Sequence, residues 1–145
     1  MCGFVALTEH ERIFPDSLLK ALEKDLQHRG PDSGGTLSEM GFALAFRRLA
    51  ILDPKDIANQ PMTDPTGHFT IVFNGEIYNF KEIRKELKKE GYKFNSNTDC
   101  EVLLAGWDSW GARILDRIKG MFAFVIWDIY KKKAYLLYTN TIEYH

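Results

Sequence analysis

Cys2 directly follows Met1, and that placement could do chemistry. Removal of an initiator methionine is common when the next residue is small. It would leave a thiol and a free α-amine on one residue. An α-amine ordinarily titrates at about 7.7–8.0 and a thiol at about 8.5. The amine can therefore take the thiol proton, directly or through a water, while the thiolate attacks a carbonyl. No separate histidine base is needed. The competing assignment is a cysteine buried by chance in a first strand, and position alone favours it. Asn74-Gly75 supplies a second element. One side-chain amide and one backbone N–H at a turn can stabilise the negative charge that such an attack creates. Taken alone, Asn-Gly reads as an ordinary hairpin turn. Arg48 interrupts an apolar strand and could bind a carboxylate bidentately, or face solvent from an edge strand. Asp99 stands at a helix start and could pair with an ammonium group, or simply complement the helix dipole. Glu76 could serve as Asp99 does, or be a solvated strand residue.

Other chemistries find little support. The four histidines and two cysteines do not cluster at metal-ligand spacing, so no metal site is expected. Gly34-Gly35 is followed by neither Gly-Lys-Ser/Thr nor a GxGxxG pattern, so it is not a phosphate loop. Trp107, Trp110 and Trp127 sit among apolar residues and read as core. The 19 Lys+Arg and 20 Asp+Glu nearly cancel, which leaves no bulk charge for nucleic acid or anionic lipid. No apolar run approaches the ~20 residues of a membrane span. The N-terminus lacks the basic start of a signal peptide, and two cysteines make no disulfide framework, so the cytoplasm is expected. At 145 residues with 45% hydrophobic content, the chain predicts one globular domain with a real core.

The elements that must position these residues interleave strands and helices. Cys2 to Thr8 predicts a strand. Asp16 or Ser17 caps a helix to about Gln27, with Leu18, Leu19, Leu22 and Leu26 on one face. The segment 28–35 reads as a loop from its glycines and proline. Phe42 to Leu52 is strand-like, and 53–67, with three prolines, is a long loop. Phe69 to Phe73 predicts a strand that turns at Asn74-Gly75 and returns through Glu76 to Tyr78. Asn79 caps a helix to Glu90 with Phe80, Ile83 and Leu87 on its apolar face, and Gly91 stops it. A short strand is expected at 92–94. A capping box at Thr98 to Glu101 opens a helix through Trp107. A further short helix is expected over 112–118, and 121–127 with 134–138 forms a hairpin. The pattern is α+β rather than a parallel sheet.

Taken together, the motifs MCG at 1–3, HRGPD at 28–32, FRRLAIL at 46–52, NQPM at 59–62, FNGEIYN at 73–79, TDCEVLL at 98–104 and GMFAFVIWD at 120–128 resemble one family. Their order and spacing are similar to the glutaminase half of glutamine-hydrolysing asparagine synthetase, a class II glutamine amidotransferase domain. HRGPD points to that branch. The resemblance covers Cys2 to about Tyr138. It implies an N-terminal-nucleophile hydrolase fold, an αββα sandwich of mainly antiparallel sheets. It implies that Cys2 is the nucleophile and that Asn74 and Gly75 form the oxyanion hole. Arg48 would bind the α-carboxylate of glutamine, and Asp99 with Glu76 its α-ammonium. Leu49, Ile51 and Leu52 would line the pocket, and 28–32 would be a structural loop near the nucleophile.

The chain departs from the family pattern at Phe46, usually His, and at Ala50, usually Ser. Its tail, TNTIEYH, departs more. The expectation is a single glutaminase domain over 1–145, truncated at its C-terminal side, without the ATP-binding synthetase domain. No cofactor is then expected on this chain; ATP and Mg would belong to the synthetase domain. Glutamine is the expected partner, with that domain as ammonia acceptor, no nucleic acid, no membrane, and room for a homodimer. The alternatives are a glutaminase of another class II branch, or an inactive remnant that binds glutamine.

Overall fold

Two apolar runs set the architecture. Residues 42–46 and 69–73 are buried at every position. A strand buried along its whole length needs cover on both faces. The computed structural model describes residues 2–49 and 58–139, and it supplies that cover as two packed sheets between helices. The elements are β1 (Gly3–Thr8), α1 (Asp16–Asp25), β2 (Ser33–Glu39), β3 (Phe42–Arg48), β4 (Met62–Thr63), β5 (Phe69–Ile77), α2 (Phe80–Lys89), α3 (Asp99–Trp110), β6 (Gly120–Asp128) and β7 (Lys133–Tyr138). One sheet has the order β1-β3-β2 and the other β4-β5-β6-β7, with every described pairing antiparallel. This is the αββα arrangement that the resemblance implies.

Period-two alternation divides the core into three layers. Phe42, Leu44, Phe46, Val72, Val125 and Trp127 pack between the sheets, with Cys2 and Phe4 beside them. Phe42 stacks on Trp127 with ring centres 4.3 Å apart. Phe69, Ile71 and Phe73 point the other way and meet Ile83 and Leu87 of α2 and Leu103 and Trp107 of α3. On the far side, Leu19 of α1 covers Ala43. Among the described residues no helix is long and apolar enough to cross a membrane.

Several local expectations fail for identifiable reasons. Asn74-Gly75 is no turn: β5 runs straight through it, pairing Asn74 with Ala123 and Gly75 with Phe122. Nine residues of strand pairing outweigh a two-residue turn preference. Gly34 and Gly35 are not loop residues but lie in β2. A Cβ on Gly35 would sit 2.6 Å from the Gln60 carbonyl oxygen, so glycine here marks a close approach. Helix α1 has no side-chain cap; the Pro15 carbonyl accepts from Leu18 and Leu19 instead. The Asn79 side chain does not cap α2 either. It bridges to the Arg117 carbonyl and the Lys119 N–H. No strand forms at 92–94, and the turn over Gly111–Asp116 is 3₁₀. Thr98 does cap α3, but Glu101 reaches back to Asn95 and Ser96 rather than to Thr98. Arg48 lies on β3, the central strand of its sheet, and is not an edge residue.

Asp128 ends β6 and holds the following turn. Its carboxylate accepts from Tyr130 N–H at 3.1 Å and Lys131 N–H at 2.9 Å, and faces His68 Nε2 at 3.0 Å. Burial opposes its ionisation, but the N–H of Lys131, the His68 ring and the N–H of Tyr130 outweigh burial and hold its pKa below the ordinary carboxylate value. A depressed folded-state pKa adds stability above the unfolded value, and that stability is lost as pH falls through the folded one. Asp128→Ala is expected to lower stability by about 1–3 kcal/mol at pH 7. In urea denaturation, the gap from wild type should narrow towards pH 3.

Candidate active site

Cys2 is placed by strand register. β1 and β3 pair with Gly3 opposite Arg47, which carries Cys2 on to the end of β3. There the sulfur meets both backbone polar groups of Leu49. Leu49 N–H donates to Sγ at 3.3 Å, and the thiol faces Leu49 O at 3.7 Å. Arg48 follows the apolar row Phe42, Leu44, Phe46 by the same two-residue step. Asn74 follows Val72 in the same way, and Cys2 extends the row of Phe4. Each polar site residue thus lies one step beyond the apolar rows that fill the space between the sheets.

These residues line a single cavity of about 330 Å³. Its wall includes Cys2, Arg48, Leu49, Asn74, Gly75, Glu76 and Asp99, so every expected site residue that is described converges there. Ile51 and Leu52 lie outside the described residues, as does Ala50. The volume suits a small polar metabolite. Among the described residues no group of three His, Cys, Asp or Glu could hold a metal ion.

Arg48 and Asp99 are each only 5% exposed, so a cation and an anion are buried at one cavity. Arg48 donates from Nη1 to Asn59 Oδ1 at 3.0 Å. Asp99 sits in the first turn of α3. Its Oδ2 accepts from Ile77 N–H at 2.9 Å and its Oδ1 from Cys100 N–H at 3.0 Å. Burial pushes its pKa up; these N–H groups oppose the shift, and the nearby Glu76 charge adds to it. Cys100 also faces the cavity, but it is buried, and burial followed by the Asp99 charge pushes its thiol well up. That burial disfavours the Cys100 thiolate.

Asn59 and Gln60 received no role from sequence, although both lie in the NQPM motif. β4 reaches only Thr70 and Ile71 of β5, so Phe73 N–H lies beyond it. Gln60 Oε1 takes the missing place, accepting from Phe73 at 2.5 Å. Tyr78, Thr98 and Met121 also line the cavity without having been expected. The 28–32 loop is clipped to β3: Arg47 donates to Gly30 O at 2.8 Å and Pro31 O at 2.9 Å. Phe46, usually His in the resembled family, is fully buried between the sheets, where an apolar ring is well placed.

A family profile described as a glutamine amidotransferase domain matches residues 1–138. The chain belongs to the glutamine amidotransferase domain family. This amidotransferase domain is 38% identical over 142 residues to asparagine synthetase [glutamine-hydrolyzing] 1 of Bacillus subtilis, covering 95% of this chain and 22% of that protein. It is 35% identical over 130 residues to asparagine synthetase [glutamine-hydrolyzing] 1 of Arabidopsis thaliana, covering 88% of this chain and 22% of that one. The chain thus spans about a fifth of the length of these curated relatives. A solved glutamine phosphoribosylpyrophosphate amidotransferase from B. subtilis superposes with a TM-score of 0.68 at 19% identity, over 88% of this chain and 35% of that one. That likeness speaks to the fold alone, and the fold is the N-terminal-nucleophile hydrolase sandwich.

Gly75 gives this amidotransferase domain a sharp test of geometry. Its φ is +144°, and a Cβ there would meet the Met121 carbonyl oxygen and lie 2.5 Å from Phe122 Cα. Gly75→Ala must strain or part β5 from β6. The expected cost is at least about 1–3 kcal/mol. Thermal denaturation should register that cost as a lowered melting temperature.

Proposed function

We propose that this domain hydrolyses glutamine to glutamate and ammonia through a thioester on Cys2. The supporting observation is the convergence of the Cys2 sulfur, a buried cation and a buried anion on one cavity. An amino-acid zwitterion presents one carboxylate and one ammonium at its head. Arg48 takes the α-carboxylate, and Asp99 with Glu76 takes the α-ammonium. The side-chain amide then lies toward Cys2, with Leu49, Ile51 and Leu52 assigned to the pocket wall.

Catalysis begins once Met1 has been removed. The α-amine of Cys2 takes the thiol proton, and the sulfur attacks the amide carbon. Negative charge develops on the amide oxygen and is met by the Asn74 carboxamide and Gly75 N–H. Strand alternation supports the second donor. Phe73 N–H leaves β5 on the Gln60 side, and the N–H two residues on leaves on the same side. The carbon–nitrogen bond breaks as the Cys2 ammonium returns its proton to the leaving amine, releasing ammonia. Water then hydrolyses the glutamyl thioester. The chemistry uses no cofactor on this chain.

The ammonia would pass to a synthetase domain for amide transfer to aspartate, with ATP and Mg acting there. The asparagine synthetase names of the relatives support this branch over other class II branches. The cytoplasm, whose reducing pool keeps Cys2 a thiol, is the proposed compartment.

Mass spectrometry should find Cys2 as the first residue of the active protein. Cys2→Ala should lower ammonia release by on the order of 10³ or more. Undiminished release from Cys2→Ala would refute the nucleophile. The raised pKa of Asp99 gives a second prediction. An ammonium binds the carboxylate form, so glutamine binding to Cys2→Ala should weaken as pH falls through that raised value. Calorimetry should show this as proton release on binding in the same range. Stability runs the opposite way: the buried carboxylate disfavours the ligand-free fold as pH rises through the raised pKa, and bound glutamine would offset that loss.

A further inference from the structure

Asn59 holds Arg48, the cation of the candidate site. Its Oδ1 accepts from Arg48 Nη1 at 3.0 Å and from Ser33 Oγ at 2.9 Å. The two donors come from β3 and β2, so they fix the amide oxygen from two directions. We propose that Asn59, backed by Ser33, is a positioning residue that aims the Arg48 guanidinium at the substrate α-carboxylate. It would thereby set the preference of the site for amino-acid amides over amides lacking that carboxylate. The proposal rests on the glutaminase reading above.

Three features carry it. Arginine has a long, freely rotating side chain, and freezing it in advance removes an entropic cost from binding. Asparagine is a neutral acceptor. It orients the guanidinium without neutralising the charge that a carboxylate ligand requires; an aspartate would make the stronger anchor but would cancel that charge. The segment is also seated tightly. A Cβ on Gly35 would lie 2.6 Å from the Gln60 carbonyl oxygen and 2.9 Å from Pro61, so β2 leaves no slack beneath it. The next residue, Gln60, holds Phe73 N–H beside Asn74. Two consecutive residues therefore tie the carboxylate side of the cavity to its oxyanion side.

The test compares two amides on the N-terminally processed chain: glutamine, and 4-aminobutanamide, which is glutamine without its α-carboxylate. Asn59→Ala is expected to raise the glutamine KM about tenfold while kcat stays within about twofold. Ammonia release from 4-aminobutanamide should not change. Asn59→Asp keeps the acceptor and should retain the wild-type melting temperature, yet it should raise the glutamine KM at least as much. Ser33→Ala removes only the backing and should raise KM by a smaller factor. Equal losses on both amides would reduce Asn59 to a structural role, and an unchanged glutamine KM in Asn59→Ala would overturn the proposal outright. Should Asn59→Ala fail to fold, Ser33→Ala and Asn59→Asp decide by the same criterion. A wild-type chain that releases no ammonia refutes the glutaminase reading instead. Calorimetry of glutamine on wild type and Asn59→Asp then still reports whether Arg48 is aimed.

Discussion

The packing of Phe42, Leu44 and Phe46 against Val72, Val125 and Trp127 is the contact on which the site depends. It fixes the separation and angle of two sheets that share no strand. β3 and β5 leave this core in register, and the first polar residue beyond each apolar row falls at the same cavity. Cys2 arrives there because β1 pairs along β3 and Phe4 fills the row behind it. A loss of inter-sheet packing would therefore separate Arg48 from Asn74 without touching either. Burying each large apolar side chain contributes about 1.5–3 kcal/mol. The core that stabilises the domain is thus also the device that aligns its chemistry.

Against this rigid frame stand two buried charges that the ligand-free domain tolerates rather than gains from. Asp99 accepts from one N–H on each oxygen, those of Ile77 and Cys100, and burial still raises its pKa. Arg48 is anchored through Asn59 to Ser33. Breaking one member of a buried charged arrangement is costly, and pairing a buried charge with a ligand group of opposite sign relieves the cost of burying it. On the proposed reading, a zwitterionic amino acid would complete both at once. The two free thiols differ in burial, since Cys100 is buried in the cavity wall while Cys2 is half-buried at the end of β1 against the backbone of Leu49.

Much of this was legible in the sequence. The runs at 42–46 and 69–73 announced strands, and the Phe80, Ile83, Leu87 stripe announced α2; that both strands are covered on both faces emerged only from the fold. Motif order brought Cys2, Arg48, Asn74 and Asp99 into one site. What was not legible is tertiary. The Asn-Gly pair carries a turn signal that only the partner strand β6 overrides. Gly34 and Gly35 suggest a loop until Glu23 and Arg47 are seen to crowd the first and Gln60 the second. The Asn79 side chain, expected at its own helix start, serves residues nearly forty positions away. Asn59 and Gln60 sat in a noticed motif, but their acceptor roles depend on donors from β2, β3 and β5 that no local pattern reveals.

The central claim is that glutamine is opened by the sulfur of Cys2. Rapid acid quenching of the N-terminally processed chain during turnover, followed by peptide mass spectrometry, tests it most directly. The account predicts a glutamyl thioester on the peptide that begins at Cys2, lost on treatment with hydroxylamine. Ammonia release with the Cys2 peptide unmodified at every quench time, or with the adduct on Cys100, would contradict it.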